Sequence, residues 1–409
     1  MKPVIFHVDF DSYFVSAARV KNPKLKNLPI AISRDKSHAI AVSVSYELKK
    51  QGVKTGMKNY EIKQIVPDAI FIPSDMDLYV SLSNKIFSYI KNKYSQNISV
   101  ASIDECFLDV TNLIKQKQIQ PKELALQMQS DILNVFQIPI TIGISHNKFF
   151  AKMTTNISKP FGIGFTDENN YQDQFYNLNI KEFHGIGRKN SQKLKDIGIK
   201  TIGDFAKCEI SDLKLQAIFG RTLQDFLDKL NPDIWENVIY KEELPSGIGN
   251  EKTFTDYDLA LEYKVNALTE LSEKVSKRVR AENLAGDVVV VTIRERNKVW
   301  ISKQMKLSKY INSAQELYSA AYYIFKKYFN NKDFIGIGVR LTSLKPVKQL
   351  YKPINLFNLQ ELNSKPLFEQ VLSEQSSDLH RKALLVLADL SFENKQESKD
   401  KTTFGLYRK

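Results

Sequence analysis

Carboxylates follow two apolar stretches of this sequence, an arrangement that can hold a divalent cation. Asp9 and Asp11 lie at the end of the apolar run 4–10, while Asp104 and Glu105 lie beside the turn between two β-type runs. If these runs form neighbouring strands, the carboxyl groups meet, and they stay together only with a cation or with raised pKa values. Mg²⁺ suits such hard oxygen ligands, and two ions would activate an attacking hydroxyl and stabilise a leaving phosphate. The alternative is that these acids are ordinary turn residues.

A Gly-Ile-Gly string lies between two short segments that predict helices, within residues 183–199. This order is the pattern of a helix–hairpin–helix, in which Gly185 and Gly187 let backbone N–H groups approach a DNA phosphate. Arg188 and Lys189 follow at once and add positive charge. Contacts of this kind go to the DNA backbone and carry no sequence preference. A plain glycine turn between two packed helices remains the alternative.

Three lysines and a tyrosine are candidates for binding a triphosphate, namely Lys49, Lys152, Lys159 and Tyr46. None of them is specific alone, because an exposed lysine is usually only solvated. The five histidines have no metal-ligand spacing, which favours structural or surface roles for them.

The elements that must position these residues predict a mixed α+β fold. Apolar runs and helical periodicity indicate the order strand, helix, strand, strand, helix, strand, over residues 4–10, 77–94, 98–103, 106–110, 123–136 and 138–144. With an insert after the first strand, this order predicts a ferredoxin-like sheet with helices on one face. Short helices separated by glycines follow in 167–244, and 245–345 predict a second small α/β module. The polar stretch 346–409 predicts a partly disordered tail.

The composition is that of a soluble protein of several domains. The chain has 409 residues, of which 43% are apolar and 26% charged, and this excludes a collagen-like or wholly disordered chain. A net charge of +13 indicates a polyanionic partner. Basic blocks flank the acidic block 167–244. This distribution fits two basic surfaces that hold one ligand, and it fits equally well lysines that only keep the protein soluble. The two cysteines exclude a disulfide framework and fit a reducing cytosol, and no apolar run reaches the ~18–20 residues of a membrane span.

Five segments, taken in order, resemble the Y-family DNA polymerases of the DNA polymerase IV type. The segments are VDFDSYF at 8–14, VSYELK at 44–49, ASIDECFLD at 101–109, GISHNKFFAK at 143–152 and SKP at 158–160. The likeness runs from residue 1 to about 345, and the Ser-Ile-Asp-Glu and Gly-Ile-Ser-x-Asn-Lys strings at this relative spacing are highly specific.

The resemblance implies a multidomain α+β enzyme. Its parts would be a ferredoxin-like palm (1–11 and 77–166), small inserted fingers (12–76) and a helical thumb with the helix–hairpin–helix (167–244). An α/β little finger (245–345) and a tail (346–409) would follow. It implies template-directed, error-prone DNA synthesis past lesions, without proofreading, by a cytoplasmic monomer that binds primer–template DNA and deoxynucleoside triphosphates. The alternative is a catalytically weak polymerase fold kept as a DNA-binding or clamp-associated scaffold. The presence of all three expected acids favours catalysis.

The resemblance also assigns roles within the site. Asp9, Asp104 and Glu105 would bind two Mg²⁺ ions, for which Mn²⁺ would substitute, and the Phe10 carbonyl would be a main-chain ligand. Ser43, Tyr46, Lys49 and Lys159 would face the triphosphate, and Phe14 would discriminate the sugar. The sequence departs from the family at two positions, because relatives usually have Arg where Lys49 stands and often an aromatic residue or Cys where Ser12 stands. Lys is a point charge without the bidentate fork of Arg.

Two further surfaces are predicted. The basic block of the little finger is expected to bind DNA phosphates, through Lys274, Lys277, Arg278, Arg280, Arg294, Arg296 and Arg340. The alternative for 274–280 is the solvated face of a helix. Residues 353–357 resemble the short clamp-binding peptides of such polymerases, with Leu356 and Phe357 as anchors for a sliding clamp. These two side chains would otherwise pack on the little finger, or the clamp site would lie at 404–406.

Overall fold

The computed structural model describes residues 2–234, 238, 244–254 and 260–350. The chain divides into two units, Met1–Lys241 and Glu242–Lys409. The described strands of the first unit are β1 (Ile5–Phe10), β2 (Ile30–Ile32), β3 (Ser43–Val44), β4 (Ile70–Ile72), β5 (Ile98–Val100), β6 (Glu105–Asp109), β7 (Ile140–Ser145) and β8 (Ile163–Phe165). Its described α-helices are α1 (Tyr13–Lys21), α2 (Tyr46–Lys50), α3 (Asn59–Ile65), α4 (Met76–Lys93), α5 (Thr111–Lys117), α6 (Pro121–Phe136), α7 (Lys148–Ser158), α8 (Tyr171–Phe175), α9 (Arg188–Asp196), α10 (Ile202–Ala206), α11 (Leu213–Phe219) and α12 (Leu223–Asp228).

A five-stranded sheet in the order β5-β6-β1-β7-β8 forms the centre of the first unit. Strand β1 is antiparallel to both of its neighbours, and Asp9 lies directly opposite Glu105 on β6. The Phe10 amide donates to the Asp104 carbonyl at 2.8 Å, which joins the end of β1 to the turn before β6. The structure therefore confirms that the two acidic strings lie on adjacent central strands.

Helices cover both faces of this sheet. Phe6, Val8 and Phe10 of β1 pack in one core with side chains of α4 and α6. The alternate side chains of β1 face α7 on the other side, where Ile5 packs against Ala151. The prediction of helices on one face only is wrong, because β1 and β7 are buried along their whole lengths. A fully buried strand lacks the alternation of polar and apolar residues that would reveal one open face.

Helix α7, which the sequence analysis does not predict, approaches the sheet very closely. A Cβ atom added to Gly143 on β7 would lie 2.1 Å from the Ala151 carbonyl oxygen. Glycine at this position lets the helix backbone lie directly on the sheet. This close approach brings the polar side chains of α7 up to the carboxylates of β1 and β6.

The small sheet β3-β2-β4 and helices α2 and α3 form the insert between α1 and α4. Ser45 begins α2, since its hydroxyl accepts a hydrogen bond from the Leu48 amide at 3.4 Å. The same hydroxyl accepts from the Ile30 amide at 3.1 Å, which ties the helix to β2. Tyr46 and Lys49 are three residues apart on this anchored helix, so they share one side of it.

Short helices α8 to α12 surround an aromatic core, formed chiefly by Phe150, Phe175, Phe183, Phe205 and Phe219. The Gly-Ile-Gly string precedes α9, and Gly185 has a φ of +102°, a conformation that favours glycine. The predicted helix–hairpin–helix therefore has α9 as its basic second helix, while a single 3-10 turn, Ile180–Glu182, stands in place of its first helix.

The second unit is an antiparallel sheet with two helices. Its described elements are β9 (Gly247–Thr253), α13 (Leu261–Ala281), β10 (Leu284–Arg294), β11 (Trp300–Ile311), α14 (Ala314–Phe329) and β12 (Gly336–Pro346). The strand order is β11-β10-β12-β9, and both helices pack on the same apolar face, which includes Val289, Val291, Val339 and Leu341. None of the helices among the described residues has the length and apolar character that a membrane crossing requires.

Candidate active site

A cleft of about 210 Å³ opens where β1 ends, between the central sheet and the insert. Its lining residues are Asp9, Phe10, Ser12, Tyr13, Phe14, Val42, Ser43, Tyr46, Lys49, Thr55, Asp104 and Lys159. The structure thus brings together the residues predicted for the metal ions and the nucleotide, except Glu105 and Lys152. These residues come from positions 9–159 of the chain and form one continuous surface.

Two ammonium groups contact the carboxylates at the strand ends. Lys159, at the C-terminal end of α7, places Nζ 2.6 Å from Asp9 Oδ1, and Lys152 Nζ lies 3.4 Å from Asp9 Oδ2. Lys152 also contacts Glu105, because Asp9 and Glu105 are directly paired and their side chains share one face of the sheet. Lys152, a triphosphate candidate in the sequence, is therefore buried against carboxylates outside the cleft.

The surroundings of Glu105 keep its carboxyl group ionised. Burial alone would raise the pKa of Glu105, but the His7 imidazole and the Lys152 ammonium outweigh burial and hold this pKa well below its usual range. His7 is itself fully buried, which lowers its pKa to about 4, so the ring is neutral at pH 7. Its Nδ1 lies 2.9 Å from the Thr155 hydroxyl on α7.

Asp104 is half-buried, close to the carboxylates of Asp9 and Glu105. Burial raises the pKa of Asp104, and the nearby carboxylates of Asp9 and Glu105 act in the same direction. A hydrogen bond from the Ser102 hydroxyl at 2.5 Å opposes this shift. A carboxylate whose pKa is raised by like charges gains most from an added cation.

The carboxylate oxygens of Asp9, Asp104 and Glu105 are of the kind that binds a hard divalent cation, although they do not converge on one point. In the described part of the chain, no three Asp, Glu, His or Cys side chains are grouped as metal ligands. The ammonium groups of Lys152 and Lys159 instead neutralise the carboxylates. Carboxylate oxygens at two adjacent strand ends, beside an open cleft, are the ligands that Mg²⁺ uses together with phosphate and water.

The insert contributes an aromatic ring and a cation to the cleft. The Tyr46 hydroxyl donates to Asp11 Oδ1 at 3.0 Å. Lys49 Nζ donates to the Ser12 hydroxyl at 2.9 Å and lies 4.1 Å from the centre of the Tyr46 ring. Burial and then the nearby Lys159 lower the pKa of Lys49. Ser12 and Lys49, the two positions at which the sequence departs from the family that it resembles, are thus in direct contact.

Phe14 forms the wall of the cleft at the first turn of α1. Its ring stacks on Tyr79 with a centroid distance of 4.3 Å and an interplanar angle of 10°. Tyr79 is buried in the core below α1, so the ring of Phe14 has a rigid support. Phe14 is half-buried, with one part in the core and one part at the cleft.

The hairpin predicted to bind DNA leaves its basic residues exposed. Gly187 is the N-terminal cap of α9, and a Cβ atom added there would meet nothing within 4 Å. Arg188 and Lys189 follow it on the exposed first turn of α9. An open backbone N-terminus with adjacent cations is suited to a phosphate group.

The basic residues predicted in the second unit fall into different environments. Three of them contact groups of their own unit, since Lys274 pairs with Glu270, Arg296 pairs with Asp333, and Arg278 donates to the Gly249 carbonyl at 3.0 Å and to Asn250 Oδ1 at 2.8 Å. Lys277 and Arg280 are exposed on α13.

Arg340 and Arg294 belong to the face of the sheet that the helices leave open. Side chains alternate along a strand, so Arg340 points away from the core residues Val339 and Leu341 beside it. Arg294 donates to the Thr253 hydroxyl at 3.4 Å. Lys306, which the sequence analysis does not name, has a side chain that is 76% exposed and lies opposite Val288 on this face. The open face and α13 are on opposite sides of the sheet, so one duplex cannot contact both.

The predicted clamp-binding residues Leu356 and Phe357 lie outside the described residues. Their role stays a prediction from the sequence.

Comparison with known proteins agrees with these features over most of the chain. A model of the impB/mucB/samB family matches residues 8–156, and a model of the C-terminal domain of that family matches residues 245–354. The DNA polymerase IV of Oceanobacillus iheyensis is 31% identical over 88% of this chain and 86% of its own length. That of Ureaplasma parvum is 32% identical over 87% of this chain and 98% of its own.

Solved structures give the same result. A Y-family DNA polymerase chimera of Dbh and Dpo4 superposes with a TM-score of 0.72, at 27% identity, and covers 83% of this chain and 98% of its own. An insertion ternary complex of Dbh DNA polymerase superposes with a TM-score of 0.61, at the same identity and coverage.

The chain therefore belongs to the impB/mucB/samB family, the Y family of DNA polymerases. Within this family it is of the DNA polymerase IV type, a DNA-directed DNA polymerase of translesion synthesis. Polymerases of this family depend on divalent metal ions. The fold class and the enzyme class predicted from the sequence are both confirmed.

The buried contact of Lys152 with two carboxylates generates a stability prediction. We expect Lys152→Met to lower the free energy of unfolding by about 3 kcal/mol, because it leaves the Glu105 carboxylate without its ammonium partner and Asp9 with Lys159 alone. Urea unfolding in EDTA at neutral pH measures this. Lys148→Met, one turn earlier on α7, is the matched control and should change stability by less than about 0.5 kcal/mol. Equal effects of the two substitutions would contradict this account.

Proposed function

We propose that primer extension takes place at the end of β1, with Asp9, Asp104 and Glu105 and the Phe10 carbonyl as ligands of two Mg²⁺ ions. Mn²⁺ would substitute. When bound, the ions would activate the primer 3′-hydroxyl and neutralise charge on the transferred phosphate. The observation that carries this proposal is the pairing of Asp9 with Glu105 and the hydrogen bond from Phe10 to Asp104, at the mouth of a cleft that Lys49 and Lys159 also line.

The residues of the chain contribute mainly position and charge. Ser43, Tyr46 and Lys49 line the wall opposite the carboxylates, and Lys159 lies beside Asp9. A triphosphate would lie between them. An incoming triphosphate offers new oxygen partners to Lys159 and Lys49, and Lys159 then releases Asp9. Positioning and charge stabilisation of this kind are what phosphoryl transfer requires from a protein.

The proposed polymerase activity also implies the molecules that the enzyme binds. We infer that the enzyme binds primer–template DNA and deoxynucleoside triphosphates, through a palm (1–11 and 77–166), fingers (12–76), a thumb (167–244) and a little finger (245–345). The central sheet, the small inserted sheet, the short helices and the second unit support these four parts. Action as a monomer and clamp binding through 353–357 are further parts of this proposal. The scaffold alternative is not favoured, because the expected acids are present and meet at one site.

The metal assignment predicts the loss of chemistry without loss of DNA binding. We expect Asp104→Ala and Glu105→Ala each to abolish primer extension with Mg²⁺, because each removes charge stabilisation that develops in the transition state, worth several kcal/mol. Binding of primer–template DNA, measured by fluorescence anisotropy, should change little. Asp68→Ala, at an exposed acid of the insert, is the control and should remain active. Near wild-type turnover of either variant would show that the assignment is wrong.

Phe14 is expected to reject ribonucleotides. A 2′-hydroxyl beside its ring would collide or lose its water without a new partner, and the Tyr79 stack prevents the ring from moving aside. Phe14→Ala should raise ribonucleotide incorporation by orders of magnitude, since each ~1.4 kcal/mol is tenfold in rate, while deoxynucleotide incorporation falls much less. Single-nucleotide kinetics with both sugars measure this. Val42→Ala, on the same cleft, should leave the sugar ratio unchanged. A parallel loss for both sugars would mean that Phe14 is only structural.

The open face of the second unit is expected to contact DNA phosphates. Arg340→Ala should flatten the slope of log affinity against log salt by ~0.9, the value for one phosphate contact on duplex DNA. Lys277→Ala removes the same charge from α13, on the opposite side of the sheet, and should leave the slope unchanged. Salt titrations of DNA binding with the full chain compare the two. A larger effect of Lys277→Ala would place the duplex on the helices instead.

A further inference from the structure

Asp11 is a buried carboxylate that the metal set does not include. It is 2% exposed, and both of its oxygens accept hydrogen bonds from the protein. Oδ1 accepts from the Tyr46 hydroxyl at 3.0 Å, and Oδ2 accepts from the Phe161 amide at 2.8 Å. The Thr141 hydroxyl lies 3.0 Å from both oxygens. With its oxygens occupied in this way, Asp11 is a poor candidate for a further metal ligand.

The partners of Asp11 belong to opposite walls of the cleft. Tyr46 is the first residue of α2 in the insert, and Phe161 follows Lys159 by two residues on the side of the central sheet. Thr141 belongs to β7, next to β1. The Asp11 carboxylate therefore connects Tyr46, on the wall formed by the insert, with the segment 159–161, which carries Lys159 on the opposite wall.

The backbone at Phe161 shows why this connection matters. Phe161 has a φ of +52°, a left-handed conformation that is uncommon for a bulky residue. Such a conformation persists only where its surroundings hold it. Here the Phe161 amide donates to Asp11, and the Phe161 carbonyl accepts from Gln129 Nε2 at 3.2 Å. The direction of the chain between Lys159 and Phe161 depends on this turn.

Asp11 is itself held firmly. Its amide donates to the Pro139 carbonyl at 2.9 Å, and its carbonyl accepts from the Ser16 hydroxyl at 2.7 Å. A carboxylate on such a fixed backbone cannot follow a movement of its partners. It therefore defines where Tyr46 and the Phe161 turn must lie.

We propose that Asp11 is a positioning residue, which fixes Tyr46 and Lys159 relative to each other and so sets the affinity of the cleft for a nucleoside triphosphate. This inference rests on the proposed function of the cleft. Asp11 acts through its partners and touches no reacting atom. Loss of its hydrogen bonds should therefore weaken nucleotide binding more than it slows the chemical step.

A double-mutant cycle in primer extension tests this proposal. In Asp11→Asn, the amide oxygen must face the Phe161 amide, which can only donate, so the amide NH₂ faces Tyr46 and can at most donate to its hydroxyl. A neutral hydrogen bond then replaces the charge-assisted one. We expect KM for the deoxynucleotide to rise about tenfold, as for loss of a hydrogen bond to a charged group, with kcat changed much less. Tyr46→Phe should also raise KM. The effects of the two substitutions on KM should be far from additive in the double variant, because both act on the same hydrogen bond.

A second substitution keeps the proposal testable if Asp11→Asn does not fold. Thr141→Val removes only the hydroxyl that both carboxylate oxygens share, and it should raise KM in the same way. Thr154→Val is the matched control, because this buried hydroxyl bonds the Phe150 carbonyl and Thr166 instead. Additive effects of Asp11→Asn and Tyr46→Phe, or an unchanged KM with a lower melting temperature alone, would overturn the proposal.

The outcome is separable from a failure of the proposed function. Asp104→Ala, measured in the same assay, reports on the metal site and not on Asp11. If that variant is active, the proposed site is wrong. If that variant is inactive while the cycle is additive, only the positioning role of Asp11 is wrong.

Discussion

The structure of the site depends on one electrostatic constraint, the crowding of carboxylates where β1 and β6 end. Asp9 and Glu105 are paired across the sheet, and Asp104 is joined to the same strand end through the amide of Phe10. Carboxylates on paired strand ends repel one another, and positive charge nearby must offset this repulsion. The ammonium groups of Lys152 and Lys159 provide that positive charge. The same two lysines come from helix α7 and its C-terminal end, so this helix must lie on the sheet at that point.

The position of α7 in turn follows from packing. A glycine on β7 lets the helix backbone approach closely, and the polar residues His7 and Thr155 fill the space between helix and sheet. The first unit can therefore place charged groups inside a core without leaving them unpaired. In the proposed function, the lysines that neutralise the carboxylates would exchange them for phosphate oxygens.

The walls of the cleft come from distant parts of the chain, and hydrogen bonds hold them in place. Asp11 and Ser12 follow strand β1 directly and contact Tyr46 and Lys49 on the insert. Within four residues, the end of β1 thus supplies the Asp9 carboxylate, the core ring of Phe10, and the contacts of Asp11 and Ser12 with the insert. This density explains how one short segment serves both the charge and the shape of the site.

The sequence by itself determined the acidic strand ends, the family and the long amphipathic helices such as α4 and α14, because these features are local patterns of residue type. It could not predict that Lys152 pairs with Glu105, or that Arg278 on α13 donates a hydrogen bond to β9 of the same unit. Nor could it predict that α7 covers a second face of the central sheet. Those contacts join residues far apart in the chain, as Asp11 and Phe161 are, 150 positions from each other. Only the tertiary structure decides such pairs, since sequence spacing carries no information about which distant side chains share a buried volume.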